Sequence, residues 1–383
     1  MSELSVTQAF LILNALPDIG PITTNRLLSS FGDDPRRLFD ASAEELEQVK
    51  GVGPKISGNL RRWRELVDLA KEETRLEEAG AVFVDNRSPA YPPLLRELAD
   101  APLGLYRRGD YAFDAPCVAI VGSRRTTLYG QATAKKLGHE LARLGFCVVS
   151  GLARGIDTFA HEGALEAGGR TAAVLGNGID IVYPPENLGL YRRIEENGGA
   201  IVTEFPFGRR ADKQSFAMRN RIVAGMSRAV IVVESDVSGG SMITAKFAGE
   251  QGRLVFAVPG RIDQPSSAGC HQLIRDGATL LTSVDDLLSE LDYLAGFGAS
   301  GASPIPEKGP VPAPAQAAPA RTPAALGAEE SKVMACFAGG AILSPDALVA
   351  ASGLPSHVLS STLMMLELKR LVAKRADGAF EAR

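Results

Sequence analysis

Residues 216–260 read FAMRNRIVAGMSRAVIVVESDVSGGSMITAKFAGEQGRLVFAVPG, and this stretch decides the fold. Residues 228–234 and 254–258 are short, apolar and rich in β-branched side chains, which is typical of buried parallel strands. The Ser-Gly-Gly-Ser turn at 238–241 opens a predicted helix that ends near Gln251. Backbone N–H groups of such a turn lie at the carboxyl edge of a sheet and favour a bound anion. A purely structural strand-to-helix turn would need the same glycine pair.

Four upstream segments have the same strand character, at residues 118–122, 146–151, 171–176 and 200–204, and helical stretches or crossovers follow them. This alternation predicts an α/β fold with a doubly wound, Rossmann-like parallel sheet. In such a sheet the ligand lies outside the carboxyl ends of the strands. The first two strand ends carry Gly122, Ser123 and Arg124, and then Ser150 and Gly151.

These strand ends do not match a nicotinamide-dinucleotide site. The G-x-G-x-x-G fingerprint would need glycines at positions 124 and 127, where this chain has Arg124 and Thr127. An arginine at this place offers a planar, bidentate donor for phosphate. A surface ion pair is the alternative role of Arg124.

Composition limits the kind of partner that the chain can bind. With 383 residues and 45% hydrophobic content, the chain can hold two or three domains, each with a core. Its formal net charge is −4, so any nucleic-acid site must be a local basic patch. Residues 208–221 supply one, in which a single aspartate faces five cations: Arg209, Arg210, Lys213, Arg219 and Arg221.

The sequence indicates no membrane, metal or cofactor partner. The start MSELSVTQAF has no signal-peptide pattern, and no apolar run approaches the ~20 residues that span a bilayer. We therefore predict a soluble, cytoplasmic protein. The four cysteines are far apart, without a CxxC motif or a nearby histidine, which is typical of reduced thiols.

The N-terminal part contains an internal repeat, since DIGP at 18–21 recurs as GVGP at 51–54. In both copies a small residue and then a leucine follow at the same spacing, as in a tight hairpin that enters a helix. Tandem helix-hairpin-helix units of this type resemble those that bind a DNA backbone through N–H groups. A helical packing module is the other interpretation, and Asp18 in the first copy would repel phosphate.

These patterns predict four parts. A helical, helix-hairpin-helix-like (SAM-like) domain covers residues 1–80, and a Rossmann-like domain covers residues 81–295. A Pro/Ala-rich linker follows at 296–328. Residues 329–383 have helix-turn-helix spacing around Gly353 and a hairpin signal at Asp377 and Gly378, so they predict a winged helix.

No catalytic residue is assigned, because the four histidines lack a convincing serine or cysteine partner. Asp157 and Asp180 lie near strand ends, and a nucleotide phosphoribohydrolase-like enzyme would use such carboxylates. The turn of that family, PGGxGTxxE, corresponds here to SGGSMITAKF, in which Phe247 occupies the place of the glutamate. The hydrolase is kept as the alternative hypothesis.

Five motifs occur in order along the middle part: IVGSRRTTLYG, VVSGLARGIDTFAHEGAL, VLGNGIDIVYPPEN, MRNRIVAGMS and SGGSMITAKFAGEQGRLVFAVPG. In these motifs the chain resembles the DNA-processing protein A (DprA/Smf) family, and the similarity covers nearly all of it apart from the linker. The resemblance implies a non-enzymatic, sequence-independent single-stranded DNA-binding protein. It further implies a homodimer that protects incoming DNA and loads the RecA recombinase during natural transformation.

The resemblance also implies which residues grip the DNA phosphates. They belong to the GSR, SGxARG and RNR motifs, to which the SGGS turn is added: Gly122, Ser123, Arg124, Ser150, Gly151, Arg154, Gly155, Arg219, Asn220, Arg221, Ser238, Gly239, Gly240 and Ser241. Phe205, Phe207 and Phe216 are candidates for base stacking or for core packing. Leu273 and Ile274, on a helix predicted at 269–277 beside an open sheet edge, are the predicted dimer interface.

Overall fold

The computed structural model describes residues 4–295, 326–338, 341–375 and 377–382. The chain forms two compact units, Met1–Ile305 and Pro306–Arg383. Residues 296–325 of the predicted linker lie outside the described residues. The boundaries predicted at residues 80, 295 and 328 stay predictions.

The first unit is built on a nine-stranded sheet with the order β1-β2-β6-β5-β4-β3-β7-β8-β9. The seven neighbouring strands β6, β5, β4, β3, β7, β8 and β9 are all parallel to one another. At the other end of the sheet, β1 and β2 add an antiparallel edge that the sequence analysis missed. The prediction of a doubly wound, Rossmann-like sheet is confirmed. The strands are β1 (Val82–Asp85), β2 (Gly104–Arg108), β3 (Cys117–Val121), β4 (Cys147–Ser150), β5 (Thr171–Val174), β6 (Ala200–Thr203), β7 (Ala229–Val232), β8 (Leu254–Ala257) and β9 (Thr279–Leu280).

Helices cover both faces of this sheet. Ala119 and Val121 of β3 pack towards one helical layer, whereas Val118 and Ile120 pack towards the other. Burial on both sides explains why the strands read as continuous apolar runs instead of alternating. The helices are α7 (Pro93–Arg96), α8 (Leu128–Arg143), α9 (Ile156–Glu166), α10 (Leu188–Glu196), α11 (Lys213–Gly225), α12 (Gly240–Glu250), α13 (Pro265–Arg275) and α14 (Val284–Ala295), with a 3₁₀ turn at Pro185–Asn187.

The chain changes direction in the sheet at β3. From β3 it proceeds through β4 and β5 to β6 on one side, and it then returns to place β7 on the other side of β3. The loops after β3 and β7 therefore diverge and leave a crevice at the carboxyl edge, which is the usual ligand position in open α/β sheets.

The N-terminal helices share a core with the antiparallel edge of the sheet. Leu27 and Leu60 belong to the same buried cluster as Phe83 of β1 and Tyr106 of β2. Because of this shared core, the helices and the sheet form one compact unit. They are α1 (Val6–Ala15), α2 (Pro21–Ser30), α3 (Ala43–Glu47), α4 (Pro54–Arg61), α5 (Trp63–Leu66) and α6 (Leu69–Glu78), with a 3₁₀ turn at Pro35–Phe39.

The two copies of the N-terminal repeat have the same backbone. Asp18 and Gly51 both adopt positive φ, of 62° and 90°, and a glycine N-cap followed by proline begins α2 and α4. The Asp18 carboxylate pairs with Lys55 Nζ at 2.9 Å, so part of its charge is already matched within the domain. DNA binding by these hairpins stays a hypothesis.

The second unit is the winged helix that the sequence predicted. Its antiparallel sheet has the order β10-β12-β11, and Gly378 provides the left-handed turn of the hairpin. Over residues 356–368 the exposed face of the third helix carries serine, histidine, methionine, glutamate and leucine, and this segment has no lysine or arginine. The elements are α15 (Ala328–Cys336), β10 (Ile342–Leu343), α16 (Pro345–Ser352), α17 (Ser356–Leu368), β11 (Val372–Lys374) and β12 (Phe380–Ala382).

Within the described residues, no single helix is long and apolar enough to cross a bilayer. The pair α16 and α17 meets the length and composition criteria only jointly, and these two helices are bent by 107° where they meet.

Candidate nucleic-acid interface

A pocket of about 550 Å³ opens at the carboxyl ends of β3, β4 and β7, where the strand order reverses. This position agrees with the expectation from the strand-end residues. Loops after the three strands and one face of α11 form its walls, with the start of α12 on one side. The predicted site residues that line it are Gly122, Ser123, Arg124, Gly151, Arg219, Asn220, Ser238, Gly239, Gly240 and Ser241.

The loop after β3 is tied to the end of β7. Ser123 N donates to the backbone oxygen of Glu234 at 2.6 Å, and the buried Glu234 carboxylate accepts from both the N–H and the hydroxyl of Thr127. Thr127 is in turn the N-cap of α8. These bonds fix the backbone on either side of Arg124.

Arg124 is the exposed cation of the pocket. Its guanidinium carbon lies 5.0 Å from the ring centroid of Phe216. Within the described parts of the chain no carboxylate pairs with it, so the surface ion pair considered from the sequence is not formed. A guanidinium that is held beside a pocket without an internal partner is free to bind a phosphate.

Arg219, in contrast, is a buried support beneath the pocket. Its Nη1 donates to the backbone oxygens of Gly151, at 2.7 Å, and of Val174. Burial lowers the pKa of Arg219 to about 10, against the opposing effect of the nearby Asp157 carboxylate. Arg219 is therefore a buried side chain in the pocket floor, and its contact with a DNA phosphate stays a prediction.

The packing of Arg219 explains the glycine at position 151. A Cβ atom on Gly151 would lie 2.4 Å from the Nη1 atom of Arg219. The buried Asp157 carboxylate accepts from Gly151 N at 3.0 Å and from Ala153 N at 3.3 Å, and burial raises its pKa. The loop after β4 is thus shaped by a buried arginine and a buried aspartate on either side of it.

Two further predicted contacts lie outside the pocket. Arg221 points away from it and pairs with Glu204 and Asp100, with only 8% of its side chain exposed. The Ser150 hydroxyl is buried and donates to the backbone oxygen of Ile120 at 2.6 Å, linking β4 to β3. Both side chains thus have internal partners away from the pocket, because neighbouring positions on a helix or strand face different directions, and their contact with DNA stays a prediction.

Arg154 and Gly155 adjoin the pocket without lining it. Gly155 has φ of 81°, and a Cβ there would lie 2.3 Å from the backbone oxygen of Ser123, so this turn must be glycine. Arg154 is exposed and pairs with Glu186 at 2.6 Å. It lines a small depression beside Arg124 and Phe216.

The start of α12 supplies backbone donors to the pocket. Gly239 is the N-cap and contributes no side-chain cap, so the N–H groups of Gly240 and Ser241 are available for an anion, whereas Met242 N donates to the Gly239 oxygen at 3.0 Å. The preceding turn is ordered by Asp236, whose Oδ1 accepts from Ser238 N and Ser238 Oγ, both at 2.9 Å. Ser241 Oγ donates to Ser235 Oγ at 2.7 Å.

The sequence analysis missed several pocket residues. Arg125 follows the GSR motif directly, and Asp236 lies two residues before the SGGS turn, so both stood beside motifs that were singled out. Of the three candidate aromatic residues only Phe216 lines the pocket, whereas Phe205 is buried and Phe207 packs on Tyr106 at 5.4 Å. Leu273 and Ile274 are partly buried on α13, and their role as a dimer interface stays a prediction.

A buried histidine below the site gives a testable pH dependence. The Thr171 hydroxyl donates its hydrogen to the backbone oxygen of Val148, so Thr171 Oγ1 can only accept from His161. His161 Nδ1 therefore carries the proton and donates to Thr171 Oγ1, and in the neutral ring Nε2 carries none. Nε2 is buried without a partner among the described residues. Burial, with a smaller effect of Arg219, lowers the pKa of His161 from 6.5 to about 3.

We expect the free energy of unfolding to fall as the pH drops below 6.5. In the unfolded chain His161 then binds a proton, whereas in the folded protein it stays neutral. The loss should be about 1.4 kcal/mol per pH unit until the pH approaches the folded-state pKa. Urea unfolding at several pH values between 7 and 5 measures it. His161→Gln should remove most of this slope, and an equal slope in both proteins would refute the assignment.

Comparison with known proteins decides the family. A family model described as DNA recombination-mediator protein A matches residues 82–292, which is more than half of the chain. The chain belongs to the DNA-processing protein A (DprA/Smf) family. A second model, the DprA winged helix domain, matches residues 317–378 and agrees with the fold of the second unit.

Individual relatives agree with this family assignment. The putative DNA processing protein DprA of Mycobacterium tuberculosis is 37% identical over 90% of this chain and 80% of its own length. The X-ray structure of DprA from Streptococcus pneumoniae has a TM-score of 0.64 and 32% identity, covering 76% of this chain and 99% of that one. A Helicobacter pylori DprA structure, described by its single-stranded DNA binding mode, has a TM-score of 0.50 and 31% identity, covering 55% and 95%.

Proposed function

We propose that this DprA-family protein binds single-stranded DNA, without sequence preference, in the strand-end pocket. The observation that carries the proposal is Arg124, an exposed guanidinium with no internal carboxylate partner among the described residues, beside the open start of α12. Lys213 adds a second exposed cation on the pocket wall. The single-stranded DNA binding mode described for the Helicobacter pylori relative supports the same function.

The chemistry of the pocket favours sequence-independent recognition. Guanidinium, ammonium and backbone N–H groups bind phosphate oxygens, which carry no sequence information. The Phe216 ring offers a surface on which any base can stack. A flexible single strand can turn a phosphate into a concave pocket, whereas a duplex holds its backbone on a stiff cylinder.

We expect clear preference for single strands and strong salt dependence. A fluorescent oligonucleotide should bind about tenfold or more tightly as a single strand than as a blunt duplex, and each neutralised phosphate should contribute about −0.7 to the log–log salt slope. Fluorescence anisotropy at several salt concentrations measures both. Equal affinity for the duplex, or binding that salt does not change, would contradict the proposal.

We infer further that the pocket is not a hydrolase site. Asp157 is buried and accepts two backbone hydrogen bonds, so it is poorly placed to attack or protonate a ligand. Phe247 stands where the phosphoribohydrolase turn has its glutamate, and its side chain packs against the core of the sheet. A nucleotide-hydrolysis assay on the purified protein tests the alternative, and turnover that Asp157→Asn abolishes would favour the enzyme.

The cellular role is proposed from the family. Its family model is described as a recombination mediator, which supports a protein that protects incoming DNA and loads RecA on it in the cytoplasm during natural transformation. RecA-dependent ATP hydrolysis on DNA covered with single-strand binding protein tests the loading step. Stimulation by this protein supports the role, and its absence contradicts it.

We also propose a homodimer through α13 and the edge strand β9. Leu273 and Ile274 lie on α13 and are only partly buried, and β9 is the last strand of the parallel end of the sheet. An open strand edge beside partly exposed apolar residues favours pairing with a second copy.

Ile274→Asp should convert the dimer to a monomer at micromolar concentration, because a carboxylate would be desolvated in the interface. Sedimentation velocity measures the change. Ile22→Asp, at a 51% exposed position on α2, is the matched control and should leave the dimer intact. A wild-type monomer, or an Ile274→Asp dimer, would show that this surface is not the interface.

A further inference from the structure

A second, smaller depression adjoins the pocket. It shares a wall with the pocket and continues past it to the loop before the 3₁₀ turn at Pro185–Asn187. Its volume of about 20 Å³ holds little more than one water molecule, so a ligand group would lie over its rim instead of inside it. Its lining residues are Arg124, Gly151, Ala153, Arg154, Tyr183, Pro184 and Phe216.

Tyr183 gives this rim an exposed aromatic surface. The residue is 39% exposed, and its ring centroid lies 5.5 Å from that of Phe216, with 41° between the ring planes. A single exposed aromatic residue needs no explanation by itself. Here, however, the ring extends the aromatic surface of the pocket in one direction, which gives a strand leaving the pocket a second place to stack.

Arg154 provides a cation at the same rim. Its side chain is 55% exposed. Its backbone is held next to the loop after β3, because Ile156 N donates to the Ser123 oxygen at 3.2 Å and a Cβ on Gly155 would lie only 2.3 Å from that oxygen. The only acid paired with it among the described residues is Glu186, whose side chain is 61% exposed. An exposed pair of this kind contributes little stability, so a phosphate can replace the carboxylate.

We propose that Tyr183 and Arg154 form a second nucleotide subsite. It takes the nucleotide next to the one in the pocket, with the base stacked on Tyr183 and the phosphate on Arg154. Glu186 competes with that phosphate for the guanidinium and thereby weakens binding. The inference rests on the proposed binding of single-stranded DNA and adds the direction in which the strand leaves the pocket.

The test uses the full chain and two probes, a long fluorescent oligothymidylate and thymidine 5′-monophosphate as its competitor. Tyr183→Ala should weaken binding of the long strand about fivefold or more, while Tyr183→Phe, which keeps the ring, should bind as wild type does. The mononucleotide should distinguish the subsite from the pocket, because a ligand confined to the pocket loses much less affinity in Tyr183→Ala than the long strand does.

The charged pair gives effects of opposite sign. Arg154→Ala should weaken binding of the long strand, whereas Glu186→Gln should strengthen it about two- to fourfold at low salt, and this gain should vanish at high salt. The double variant should show no gain. Since misfolding cannot raise affinity, an increase in Glu186→Gln supports the subsite directly.

The possible failures are distinguishable. If wild type does not bind the long strand, the proposed function itself is wrong. If Arg124→Ala binds the long strand more weakly than wild type, but the variants at Tyr183 and Arg154 bind it normally, DNA binding in the pocket is supported and the second subsite is wrong. Unchanged or lower affinity in Glu186→Gln overturns the role given to Arg154.

Discussion

Replacing Arg124 with glutamate should lower the affinity for single-stranded DNA by about tenfold or more. The variant removes one charge-assisted contact, worth about 1.5–3 kcal/mol, and adds repulsion between a carboxylate and the phosphate. Titration of a fluorescent oligonucleotide at fixed salt measures the loss. Because Arg124 is exposed and pairs with no carboxylate among the described residues, the urea midpoint should hardly change.

Arg143→Glu is the matched control for this charge reversal. Arg143 is also exposed, but it lies in the last turn of α8, whereas the loop that carries Arg124 leads into the first turn. The 16 residues of α8 separate its two ends by roughly 20 Å. Equal losses in Arg124→Glu and Arg143→Glu would mean that net charge, and not the pocket, determines binding.

Replacing Arg219 with methionine should instead destabilise the fold by about 3–5 kcal/mol. The change leaves the buried Asp157 without its nearest cation, and it removes the donor from the backbone oxygens of Gly151 and Val174. Urea unfolding followed by circular dichroism measures the loss. If the variant is destabilised as expected, weaker DNA binding follows from the distorted loop after β4.

Asp157→Asn combined with Arg219→Met provides the control. Removing both charges should recover part of the stability, since an uncompensated buried charge costs more than the absence of the pair. If Arg219→Met unfolds at the wild-type midpoint and yet binds DNA much more weakly, Arg219 contacts the phosphate itself. Comparison with Arg124→Glu thus distinguishes an arginine that binds DNA from an arginine that stabilises the loop after β4.

The winged helix has a surface unlike that of the pocket. Its third helix has no lysine or arginine over residues 356–368 and exposes Met364, Met365 and Leu368. Affinity for DNA phosphates depends on cations, and the next ones in the chain are Lys369 and the exposed Arg370, directly after this segment. The charges that fit phosphate lie around the sheet edge of the first unit.

The sequence by itself determined the sheet and the place of the site. Each of the six predicted strands formed within about two residues of its expected bounds, because β-branched runs between turn residues leave little alternative. The SGGS turn began α12 as expected, and the GSR motif reached the pocket. The local sequence pattern is enough to predict a site residue where its position at the end of a strand alone brings it to the pocket.

Only the tertiary structure decided which arginines face a ligand. Arg219 and Arg221 look alike in the sequence and lie two residues apart, yet one supports the loop after β4 and the other pairs with Glu204. Residues two apart on a helix point about 160° away from each other when α-helical geometry holds. Their partners come from β4, β5 and β6, so no local pattern reveals them. Arg124 remains open because the bonds of Glu234 to Thr127, 107 residues away, hold its loop beside the pocket.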